Sequence, residues 1–117
     1  MPDLFEDPAL VAMATSSNAA GTLAVTCTDQ GLVTDLRFEV SDYAHGAAAL
    51  AAEIVRLTQR STLLARARRR EILADLGLAD VLLDRLGLPD RATVAAELER
   101  LDAPAADAAP HRWVQAL

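Results

Sequence analysis

From Leu23 to Val40 the chain alternates between apolar and polar positions. Leu23, Val25 and Cys27 interleave with Ala24, Thr26 and Thr28, and after Asp29-Gln30-Gly31 the alternation resumes. Leu32, Thr34, Leu36, Phe38 and Val40 then hold one parity, while Val33, Asp35, Arg37 and Glu39 hold the other. A period of two with one apolar and one charged face predicts half-buried antiparallel strands. Gly31 supplies the positive φ that a three-residue connection needs. The pattern therefore predicts a hairpin with one dry face and one wet face.

Ser41-Asp42-Tyr43-Ala44-His45-Gly46 breaks the second strand and offers N-cap residues. A helix is predicted from about residue 47 to residue 76. At 100° per residue, Leu50, Ile54, Leu57 and Leu64 lie close to one line, which suits a helix laid across the dry face of the hairpin. Arg68 falls on that same line, so the helix is expected to leave its sheet near Ala65 and continue toward solvent or a second subunit. Beyond it, Leu76-Gly77-Leu78-Ala79-Asp80 is echoed ten positions later by Leu86-Gly87-Leu88-Pro89-Asp90. Each glycine reads as a helix stop and each aspartate as the next N-cap, giving short helices near 79–86 and 91–102.

The organisation expected is a flexible lead-in over 1–20, a hairpin and long helix over 21–76, a helical extension over 77–102, and an Ala/Pro-rich tail over 103–117. A helical turn after Pro8, over Ala9–Met13, fits the lead-in but is marginal alone. The tail carries the only tryptophan, Trp113. The fold class is α+β, an antiparallel hairpin or small sheet backed by a long helix.

The 117 residues are 52% hydrophobic and 24% charged, which fits one globular domain and excludes a wholly disordered chain. Aromatics are only 3%, so the core must be aliphatic. All basic residues are Arg, which together with the abundance of Ala reads as the codon bias of a GC-rich genome. The net charge of −6 repels polyanions, so a nucleic-acid role needs a local basic patch. No apolar run reaches the ~18 residues of a membrane span, and the acidic start differs from a basic signal sequence. The expected compartment is the cytoplasm, with no membrane partner.

Candidate chemistry is sparse. Asp35 and Glu39 share the wet strand face with Arg37, but nothing apolar there would split their pKa values for acid–base work. His45, beside Tyr43 and Asp42, has no nucleophile at a recognisable spacing. Cys27 sits on the dry parity and reads as a small core hydrophobe. One cysteine and two histidines make no zinc site, and no glycine-rich phosphate loop is present. The expectation is a non-enzyme with no catalytic residues, no cofactor and no metal.

The one dense charge feature is Arg60, Arg66, Arg68, Arg69 and Arg70. Guanidinium groups at that density suit phosphates, and a symmetric dimer would double the patch. Equally, basic residues near a helix C-terminus complement its dipole and solubilise a protruding end.

The run Leu23-Ala24-Val25-Thr26-Cys27-Thr28-Asp29-Gln30-Gly31-Leu32-Val33-Thr34-Asp35-Leu36-Arg37-Phe38-Glu39-Val40, followed by Ala49-Leu50-Ala51-Ala52-Glu53-Ile54-Val55, resembles the YbaB/EbfC family in its actinobacterial branch. The likeness spans roughly residues 21–70. It implies a small α+β fold that dimerises through its sheet and a non-enzymatic, nucleoid-associated role on double-stranded DNA. Arg60, Arg66, Arg68, Arg69 and Arg70 are then the candidate nucleic-acid contacts. The family's long N-terminal helix is missing here or cut to residues 8–14, and a helical region is added after Gly77. Gly87-Leu88-Pro89 ahead of Ala95-Ala96-Glu97-Leu98-Glu99 is similar to the EspD/EspH-like accessory proteins of actinobacterial type VII secretion. That likeness implies a protein-interaction or chaperone role with a secretion-system partner. A lone hairpin leaves unpaired edges, so a homodimer is expected on either reading.

Overall fold

The computed structural model describes residues 12–103. Three antiparallel strands, β1 (Met13–Ser17), β2 (Ala24–Thr28) and β3 (Val33–Arg37), form one sheet in the order β1-β2-β3. A 3-10 turn over Val40–His45 leads into the 29-residue helix α1 (Ala47–Asp75), followed by α2 (Asp80–Arg85) and α3 (Arg91–Asp102). The architecture is α+β, as the alternation and the helical stripe predict.

The dry parity of β2 is buried in full: Leu23, Val25 and Cys27 close onto Leu50, Ile54 and Leu57 of α1. Each fully buried leucine or valine contributes roughly 1.5–3 kcal/mol. One turn further on, α1 presents Ser61 and Ala65, both buried. Their small side chains let the helix approach the sheet, and the Ser61 hydroxyl donates to the Val25 carbonyl at 2.7 Å. Burial pushes the Cys27 thiol up in pKa, with a weaker opposing pull from the Thr62 hydroxyl.

Residues 13–17, expected within the flexible lead-in, form β1 instead. Met13 pairs with Thr28 and Ser17 with Ala24. Ala12 and Ser16 are buried and Ala14 between them is half-buried, so small residues perform the inward role that leucine and valine perform in β2. The turn that follows is organised by Asn18, whose Oδ1 accepts from the backbone N–H groups of Thr22 and Leu23 at 2.9 and 3.1 Å. The remainder of the proposed Ala9–Met13 turn, and the Trp113 tail, lie outside the described residues.

β3 departs from the simple alternation. Thr26 pairs with Asp35, but the next ladder position pairs Cys27 with Val33, leaving Thr34 as the extra residue of a bulge. Val33 and Leu36, of opposite parity in sequence, therefore both fall opposite buried partners, Cys27 and Val25.

The two glycine stops are built alike. Gly77 (φ +100°) donates to Ala74 O, and Leu78 N–H reaches back to Leu73 O. Gly87 (φ +74°) donates to Asp84 O, and Leu88 N–H reaches back to Leu83 O. Each is a Schellman motif, which needs a left-handed residue at that position. In the second, Leu83 and Leu88 are both buried, so the turn is anchored. Asp90 caps α3 by accepting from Thr93 N–H at 2.8 Å, and that bond holds its carboxyl below the usual range. The N-cap of α2 is Ala79, one residue before the aspartate expected there.

Candidate interaction surfaces

Four of the five clustered arginines are turned onto the chain itself. α3 runs back along α1, which brings Asp102 between Arg60 (2.9 Å) and Arg56 (2.7 Å). Arg66 donates to the Gly87 carbonyl. Arg70 donates to the Leu88 carbonyl at 2.6 Å and to Asp84 at 2.7 Å, with Asp80 at 3.8 Å. Arg69 lies 3.4 Å from Asp29 in the β2–β3 turn. Arg68 is exposed and makes no hydrogen bond or ion pair among the described residues.

Two guanidinium groups, each holding one carbonyl of the helix–turn segment, replace contacts that the turn would otherwise have to find in water. Such charge-assisted bonds are each worth about 1.5–3 kcal/mol when partly buried. The spacing Arg66–Arg70 is i,i+4, so both face one side of α1 and meet the Gly87–Leu88 turn together. Glu53, in bidentate contact with Arg56, holds that guanidinium firmly protonated. Arg56 stands outside the sequence cluster, and its role depends on Asp102, 46 positions away.

The second surface is β3. α1 lies over β1 and β2, and every residue of β3 is exposed. Leu32, Val33, Leu36 and Phe38 are more than 40% exposed although two of them sit opposite the core. Phe38 meets Tyr43 edge to face, ring centroids 5.6 Å apart. The outer edge of β3 has no strand beside it among the described residues.

The remaining candidates serve the fold. Asp35 accepts from Arg37 at 2.9 Å on the open face. Asp42 Oδ2 accepts from Glu39 N–H at 2.9 Å and its Oδ1 from the Thr22 hydroxyl at 2.7 Å, tying the β1–β2 turn to the 3-10 turn. His45 closes that turn beside Gly46 and lines a shallow cavity of 480 Å³ with Asp42 and Glu53. Among the described residues no three His, Cys, Asp or Glu side chains are grouped to hold a metal ion, and no helix is long and apolar enough to cross a membrane.

No family model, curated protein or solved structure matches the chain. The likeness to the YbaB/EbfC and secretion-accessory proteins therefore rests on the quoted residues alone.

Proposed function

We propose that this chain is a non-catalytic module that homodimerises through β3 and acts by binding protein partners, in the manner of an accessory factor. The observation that carries this is the uncovered apolar strand: a pairable edge and an apolar face lie together where α1 does not reach. Exposed edges of this kind are normally covered or charged. A second β3 satisfies the backbone groups, and the second copy's apolar side chains dry the face. The secretion-accessory resemblance supplies one class of further partner, a component or substrate of a type VII system.

Light scattering at micromolar concentration should return a dimeric mass. Leu36→Arg should give a folded monomer, because a side chain already 41% exposed can send its charge to water in the free chain but not in a paired one. A monomeric mass for the wild type would overturn the reading.

Binding of double-stranded DNA, the role implied by the YbaB/EbfC resemblance, draws support from Arg68. Of the five candidate residues it is the one with all its N–H donors uncommitted among the described residues. A dimer then offers two such groups, and each phosphate contact adds about −0.9 to the slope of log affinity against log salt. A labelled duplex titrated between 50 and 200 mM salt should show a slope no steeper than about −2. A slope of about −4 or beyond would mean that arginines besides Arg68 also meet phosphates.

A further inference from the structure

The C-terminal helices are attached unevenly. At the near end the turn between α2 and α3 is fixed by buried Leu83 and Leu88 and by the bonds from Arg66 and Arg70. At the far end Asp102 is held by Arg56 and Arg60. Between these points α3 buries no residue completely. A groove of 1290 Å³ separates it from α1 and β1, with Leu64, Ile72, Val94 and Leu98 in its lining beside charged residues such as Arg68 and Glu71.

We infer that α3 is a strap, hinged at Pro89 just beyond the anchored turn and latched at Asp102, whose release opens the groove on α1. The hinge has the features required: a proline with no N–H to lose, directly after the anchored Leu88. The latch is also of the required kind. Asp102 is 44% exposed, and ion pairs at that exposure are weak and screened by salt. The helix between them is held by half-buried side chains alone, Val94, Leu98 and Leu101 among them, and twelve residues are marginal as an isolated helix. Opening is thus local, well below the cost of unfolding the sheet and α1. An anion that takes the Arg56 and Arg60 N–H groups now held by Asp102 competes with that latch, so such binding and strap opening are linked in both directions. This inference does not depend on how β3 is covered.

Hydrogen exchange read peptide by peptide on the full chain tests it. In 50 mM salt, Asp102→Asn should raise exchange across 91–102 by about 5- to 20-fold, leaving α1 and the strands unchanged. In 1 M salt the wild type should approach the variant, because the latch is screened. Asp102→Glu keeps the charge within reach of both arginines and should keep protection within about twofold of wild type at low salt. Equal protection of 91–102 in wild type and Asp102→Asn at low salt would overturn the strap. So would α3 exchanging at the same rate as α1, which would make its opening global.

Discussion

Replacing Leu57 with Ala should lower the free energy of unfolding by about 2.5–5 kcal/mol. Leu57 is fully buried at the centre of the contact between α1 and the hairpin, with Leu23, Val25, Cys27 and Leu50 around it. Among the described residues the buried apolar set has nine members, three of them alanine or cysteine, and none is aromatic. Against a total stability of ~5–15 kcal/mol for an ordinary domain, one such cavity removes a large fraction. Urea denaturation followed by circular dichroism should show a midpoint lower by ~1–3 M with an unchanged slope. A wild-type midpoint would mean that α1 does not rest on the sheet at this position.

The second large effect is expected from the double substitution Arg66→Gln with Arg70→Gln. It takes the guanidinium donors away from the carbonyls of Gly87 and Leu88 and from Asp84. Arg70 is 14% exposed, so its replacement leaves Leu88 O poorly solvated. The loss should be about 2–4 kcal/mol in the docking of α2 and α3. Limited digestion by a protease without arginine specificity should then cut within 77–90 at least tenfold faster, while α1 survives. Unchanged cleavage would mean that these arginines are ornaments on an independently packed turn. The same logic governs mutational tests of DNA binding: a combined substitution of the cluster also disturbs the C-terminal helices. Arg68→Gln isolates the electrostatic contribution.

Much of the fold was legible because its signals are local. The alternation of Leu23, Val25 and Cys27 locates β2, and the paired glycine stops place α2 and α3 within a residue or two. β1 is faint in the sequence because Ala12, Ala14 and Ser16 carry its inward parity with side chains too small to stand out as a hydrophobic stripe. The period-two spacing of small residues ahead of a turn was the signal available. In β3 the residue types announced a strand, but the bulge at Thr34 reverses which parity faces the core, and a bulge leaves no compositional mark. The site was legible only as a density of charge. Whether Arg60 or Arg70 faces water is decided by Asp102 and Asp84, residues distant in sequence that fold back upon them.

The sheet has two outer strands, and the structure treats them differently. β3 stands open, whereas the flank of β1 borders the groove whose far wall is α3. Pairing through β3 alone, about a two-fold axis, gives a closed assembly with β1 at both extremities. If both flanks were equally accessible, each added copy would present a new site, and growth would be open-ended, the geometry of a fibre. In the proposed dimer the groove and α3 on the β1 side set that flank apart from β3, so pairing through β3 alone closes at two copies.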